Sequence, residues 1–160
     1  INAKLVLIGD GSDKSFLEAY VNKKNLANEI IFTGAVPYSD IQNYANISHI
    51  CVDPIIKHYT MSMGMSTKSL DYMAASKPIV ATKYSPELNM CVKKYKIGLL
   101  TEYNVSQFAD ALYTIYKDKN LANKMGKSGF NCVNSLFSYK IMSNKIEEHS
   151  FDIINKSNIS

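Results

Sequence analysis

Ser62-Met63-Gly64-Met65-Ser66-Thr67-Lys68-Ser69-Leu70-Asp71-Tyr72-Met73-Ala74-Ala75-Ser76-Lys77-Pro78-Ile79-Val80-Ala81-Thr82 reads as a small-residue loop, a short helix and a buried strand. Ser66 and Thr67 are both good N-caps, so the helix starts there. Leu70, Met73 and Ala74 recur at helical spacing and predict its buried stripe. Lys77-Pro78 ends it, because the residue before a proline avoids the helical region. Ile79 to Ala81 is then a short apolar strand. A helix N-terminus offers free N–H groups and partial positive charge, which suit an anion such as phosphate. Thr67 and Asp71 are four apart and share a face. Side chains lean toward the helix start, so Asp71 reaches the same side as the loop amides. A carboxylate beside a phosphate site suits the vicinal hydroxyls of a ribose. The competing reading is an exposed helix with a Lys68–Asp71 surface pair, worth a few tenths of a kcal/mol.

Working outward, the 160 residues are enough for one domain with a real core. Apolar residues at 46% and charged residues at 20% are ordinary for a globular chain. No run approaches the roughly 18 apolar residues of a membrane span. The N-terminus enters a strand directly, shows no signal-peptide pattern and lacks a Met start, as expected of a fragment. The net charge of +4 is spread over scattered lysines, an arrangement of solvated faces that argues against a nucleic-acid partner. All 18 basic residues are lysines, so a phosphate here meets a point charge, an amide or a hydroxyl, never a guanidinium fork. Cys51, Cys91 and Cys132 are odd in number and far apart, as reduced buried thiols of a cytoplasmic protein would be. They share no metal-ligand spacing with His49, His58 or His149, so no metal site is expected.

Strands and helices alternate along the chain. Lys4 to Ile8 is a continuous apolar run of the parallel-strand type, ending in Gly9-Asp10-Gly11-Ser12. A helix capped by Ser12 or Asp13 follows, with Phe16, Leu17, Tyr20 and Val21 as its stripe. The strand–glycine–helix pattern lacks the third glycine of a dinucleotide fingerprint, and no acid closes the next strand, Glu29 to Phe32. NAD binding is thereby disfavoured, and Gly9 and Gly11 serve first the tight turn. After the Thr33-Gly34-Ala35-Val36-Pro37 loop, a helix capped by Ser39 or Asp40 runs to about Ala45. Ser48 to Val52 is a third strand, closed by Asp53-Pro54. Residues 55–66 form an open connection of the kind that is often functional. Beyond Thr82 the pattern predicts a helix over Ser85 to Val92 with Pro86 in its first turn, and a strand at Ile97 to Leu100. Three more helices follow, capped by Asn104, Asn120 and Ser138. The first of them carries Val105, Phe108, Leu112, Ile115 and Tyr116; the last carries Ile141, Ile146 and Ile153. The class is α/β, a Rossmann-like three-layer α/β/α arrangement with a mostly parallel sheet of about five strands. Ligands of such sheets bind at the carboxyl ends of the strands.

Four segments together resemble the donor-binding half of GT-B glycosyltransferases, specifically the large retaining family four. They are Leu5 to Ser12, Ile30 to Pro37, His49 to Pro54 and Lys68 to Thr82, matching in order and spacing from residue 4 to about 150. The resemblance implies transfer of a hexosyl or related sugar from a nucleotide-diphosphate donor to an acceptor hydroxyl, with retention. It implies no metal: the helix N-terminus and basic side chains offset the leaving diphosphate's charge. Family members hold the ribose with the second of two glutamates seven residues apart, and Asp71 stands at that position. The first glutamate, which contacts the donor sugar, is replaced by Met63. Ser66-Thr67-Lys68 resembles a variant motif in which the lysine meets a phosphate or the sugar. The base is contacted by the loop after Phe-Thr-Gly, here around Ala35, Val36 and Pro37. The resemblance thus makes Gly9, Gly11, Gly34, Val36, Ser66, Thr67, Lys68 and Asp71 the donor-binding residues, and it assigns no catalytic residue.

The resemblance also implies that residues 1–160 are a single domain lacking its first strand–helix unit and the acceptor half, and inactive alone. Partners would be a nucleotide sugar and the protein's own N-terminal acceptor domain, with peripheral membrane contact of the intact enzyme. Exposed strand edges would invite a homodimer. Its setting would be cell-surface polysaccharide synthesis in a bacterial cytoplasm. Two other readings stand beside it. One is a catalytically decayed Rossmann-like nucleotide-binding or regulatory module, marked by Met63. The other is a GT-B sugar-nucleotide epimerase, for which His58 alone is a candidate catalytic group.

Overall fold

The computed structural model describes residues 3–56 and 64–157. The expectations placed on His58 and Met63 lie outside the described residues. Contacts divide the chain into two units, residues 1–41 and 42–160. The five strands are β1 (Leu5–Ile8), β2 (Ile30–Gly34), β3 (Cys51–Asp53), β4 (Ile79–Thr82) and β5 (Gly98–Thr101). The helices are α1 (Lys14–Lys23), α2 (Tyr38–Ile47), α3 (Thr67–Ala74), α4 (Pro86–Tyr95), α5 (Val105–Lys117), α6 (Lys119–Leu136) and α7 (Tyr139–Ser157). All described strand pairings are parallel, in a two-stranded sheet β1–β2 and a three-stranded sheet β3–β4–β5. The alternating α/β order and parallel pairing read from the sequence are therefore observed.

In the first unit, Leu5, Val6 and Leu7 pair with Ile30, Ile31 and Phe32, and the register then slips so that Ile8 meets Gly34. The slip rests on two glycines. Gly9 (φ 133°) and Gly34 (φ 71°) take conformations that disfavour a side chain, and the Gly9 N–H donates to the Gly34 carbonyl at 2.9 Å. The predicted stripe of α1 is not buried as expected. Only Val21 is buried, whereas Phe16 is 71% exposed and Leu17 and Tyr20 are also open. A sheet of two strands is too narrow to cover a ten-residue helix. Ser12 is not the cap; Asp13 occupies that position without a side-chain bond. The α2 helix starts at Tyr38, so Ser39 and Asp40 sit inside its first turn and do not cap it.

The second unit holds the core. Every residue of β4 is buried. Ile79 and Ala81 face a cluster with Met73, Leu88, Cys91, Ile97 and Cys132, while Val80 faces another with Ala111, Ile115 and Met125. This is the period-two alternation of a strand covered on both faces. Local chemistry sets the helix starts. Ser66, Ser85, Asn104 and Asp118 accept from the N–H groups of Ser69, Leu88, Gln107 and Leu121, each an N-cap bond to the third helical residue. The cap of α6 is thus Asp118 and not Asn120. In α5 the buried residues are Ala111 and Ile115, and Val105 is 88% exposed. In α7 Ile146 and Ile153 are likewise exposed. Two glycines bring α6 close to α3. A side chain at Gly126 would lie 2.0 Å from the Ser76 carbonyl oxygen, and one at Gly129 would touch Met73.

All three cysteines are free and buried. The Cys132 Sγ lies 3.7 Å from the Cys91 Sγ. Burial pushes the Cys51 and Cys91 thiols up from 9.0 to about 12. An unfolded thiol ionises near 9.0 while the folded one holds its proton, so the unfolded state binds fewer protons above that pH. The contribution of these thiols to stability should therefore be level below pH 9 and fall as the pH rises towards about 12. Urea unfolding between pH 8 and 11 measures this slope, and a flat profile would contradict it.

Candidate functional site

The carboxyl end of β3 and the start of α3 are joined by a buried carboxylate. Asp53 closes β3, is 0% exposed, and accepts from the Ser69 hydroxyl through Oδ2 at 2.7 Å. Its Oδ1 lies 3.4 Å from the Lys68 Nζ, whose side chain is 63% exposed. Lys68 thus spans from the protein interior to solvent. Its partner is Asp53, across the sheet–helix junction, rather than the helix neighbour Asp71 of the surface-pair reading. Asp71 and Leu70 are half-buried, Met73 and Ser69 are buried, and Ala74 is exposed. The inward face of α3 is therefore set by Ser69 and Met73, one residue round from the predicted stripe. On that face the Ser69 hydroxyl donates to the buried acid.

The connection between β3 and α3 is fastened at both described ends. The Thr82 hydroxyl, at the end of β4, donates to the Ile55 carbonyl. The Ser85 hydroxyl donates to the Gly64 carbonyl at 3.2 Å while accepting from the Leu88 N–H. Ser66 caps α3 from an extended backbone (φ −62°, ψ 134°), leaving the amides of Thr67 and Lys68 unused by helix bonds. Those amides, at the helix's positive end, share their turn with Lys68, whose ammonium is paired with Asp53, and together make up the corner at the start of α3. Tyr72, half-buried, has its hydroxyl pushed up from 10.0 to about 12, first by burial and then by its acidic neighbours Cys51, Asp53 and Asp71. It is a neutral hydroxyl at ordinary pH.

The remaining predicted residues belong to the first unit. Gly9 and Gly11 line an open depression of about 310 Å³ with Leu7, Ser12, Leu17 and Phe32. The Gly11 N–H donates to Asp10 Oδ1 at 2.8 Å, and Asp10 pairs with Lys14 at 3.5 Å. Gly34 sits against this pair, so that a side chain there would lie 3.4 Å from Lys14 Nζ. Val36 is half-buried in the loop after β2. Structure thus gathers Gly9, Gly11 and Gly34 in one place and Ser66, Thr67, Lys68 and Asp71 in another. Asp53 and Ser69, which join this corner to β3, are not among the residues that the sequence singled out. The available signal was an acid closing an apolar strand, just before Pro54. Among the described residues, no group of three or more His, Cys, Asp or Glu side chains could hold a metal ion, and no helix is long and apolar enough to cross a membrane.

Comparison with known proteins fits this arrangement. The family described as glycosyl transferases group 1 matches residues 1–131. The chain belongs to that family. No match is found among curated proteins. Among solved structures, sucrose-phosphate synthase from Thermosynechococcus elongatus aligns with a TM-score of 0.82 at 21% identity, over 96% of this chain and 39% of that one. Anabaena HepE in complex with UDP aligns with a TM-score of 0.74 at 16% identity, over 94% and 41%. The C-terminal domain of the group 1 glycosyl transferase LpcC from Francisella tularensis aligns with a TM-score of 0.69 at 26% identity, over 85% and 70%. The chain therefore spans about two-fifths of the first two relatives. The resemblance to the C-terminal half of GT-B glycosyltransferases is met in both family and fold.

Proposed function

We propose that the chain is the donor-binding half of a retaining glycosyltransferase. It binds a nucleotide-diphosphate sugar, whose sugar passes to an acceptor hydroxyl supplied with the N-terminal half of the intact protein. The observation that carries this reading is the corner at the end of β3: a helix start capped by Ser66, with Lys68 in its first turn paired to buried Asp53. Such a corner offsets the charge that grows on a leaving diphosphate, with no resident metal required. Asp71, one turn on, bonds the ribose hydroxyls. Membership of the family supports the reaction class, and HepE structures with UDP and with UDP-glucose support the donor class. This half alone, without an acceptor site, turns over no substrate.

Titration of the chain with UDP and GDP, followed by backbone amide shifts, tests the reading. Shifts should concentrate at residues 66–71; binding that leaves this stretch unmoved refutes the site. In the full-length enzyme, Asp71→Ala removes charge-assisted bonds worth about 2 kcal/mol, which weakens nucleotide affinity roughly thirtyfold. Undiminished affinity in that variant would remove the ribose role.

A further inference from the structure

Asp53 carries more than the packing of β3 against α3. A wholly buried carboxylate is unfavourable unless it is paired and hydrogen-bonded. Among the described residues only one oxygen is hydrogen-bonded, to Ser69; Oδ1 is buried with no hydrogen-bond partner among them and faces the Lys68 Nζ at 3.4 Å. The ion pair is one-sided, because the lysine side chain is mostly in solvent and the acid is not. Charges alternate outward: buried negative Asp53, then positive Lys68, then solvent beside the α3 amides.

We propose that Asp53 is a positioning residue for the nucleotide site, holding the Lys68 ammonium at the start of α3 where it meets a diphosphate. The proposal rests on the reading of that corner as a nucleotide-sugar site. An ammonium has three protons. One directed at Asp53 leaves two for phosphate oxygens. A free lysine loses rotamer freedom when it grips a ligand, and Asp53 imposes that loss before the ligand arrives. The carboxylate itself would repel a diphosphate. It lies beneath the ammonium, however, so the nearer positive charge dominates at the surface.

The test uses the full-length protein and UDP, with Asp53→Asn, Lys68→Met and the double variant. Asparagine keeps the shape and still accepts from Ser69, so it removes mainly the charge. Asp53→Asn should weaken UDP binding about tenfold when Lys68 is present, and less than twofold in the Lys68→Met background. Equal weakening in both backgrounds, or none in either, overturns the proposal. Should Lys68→Met not fold, the Lys68 ammonium is followed by nitrogen-15 spectroscopy without nucleotide. Its signal should be protected from exchange in the unmodified protein and lost in Asp53→Asn; an unchanged signal overturns the proposal. Failure of UDP and GDP to bind the unmodified protein is a separate outcome. It overturns the nucleotide reading, and this proposal with it, before any substitution is made.

Discussion

Gly98→Ala should leave little folded protein. Gly98 opens β5 and pairs with Ile79 of β4. A methyl placed there would lie 1.9 Å from the Ile79 carbonyl oxygen and 2.8 Å from its carbonyl carbon. The obstacle is backbone in a fully buried strand, and no rotamer change can clear it. Either β5 separates from β4 or the methyl-bearing residue leaves the sheet. Both sever a ladder that carries the buried Ile79–Thr82 segment. Overpacking a core usually costs about 1–3 kcal/mol. Here the cost should reach about 4 kcal/mol or more, a large part of the stability of a small domain. Urea unfolding of the purified variant measures it. A midpoint within error of the parent would mean that β5 does not approach β4 as described.

Lys68→Met should be the next most damaging substitution, although Lys68 is an exposed residue. Surface lysines are usually neutral to stability because their ion pairs are worth about 1 kcal/mol or less. This lysine differs because its partner is wholly buried. Removing it leaves Asp53 Oδ1 with no cation and no hydrogen bond among the described residues. Breaking such a pair costs about 3 kcal/mol, near the lower end of the buried-pair range because the lysine side faces water. The signature is recovery. Adding Asp53→Asn to Lys68→Met removes the stranded charge and should restore most of the loss. Thermodynamic cycles from urea unfolding of the four proteins read this directly. A double variant that is as unstable as the sum of the two singles would show the residues acting independently.

What the sequence revealed was mostly what neighbouring residues decide between themselves. Ser66, Ser85-Pro86 and Asn104 marked helix starts correctly, because a cap bond spans only three residues. The β4 strand was legible because a strand buried on both faces is continuously apolar. The cap of α6 was misplaced by two residues: the reading took Asn120, whereas Asp118 accepts from the Leu121 N–H. The α1 stripe shows a different limit. Periodicity identifies which face of a helix is apolar, not whether anything covers it. Strand pairing is nonlocal, and so the division into β1–β2 and β3–β4–β5 could not be read from the segments. Of the candidate site's local arrangement, half was legible. Ser66, Thr67, Lys68 and Asp71 stood out through their place on one short helix. Asp53 and Ser69 did not, since their bond joins residues 16 apart in sequence and a strand pattern gives no sign that a charge lies inside.

The fastenings at Ile55 and Gly64 have an evolutionary consequence. Both use a side-chain hydroxyl, from Thr82 and Ser85, to grip a main-chain carbonyl. A carbonyl is present whatever residue carries it. A substitution at Ile55 or Gly64 therefore leaves the acceptor of each fastening in place, and it is Thr82 and Ser85 whose side chains these bonds require.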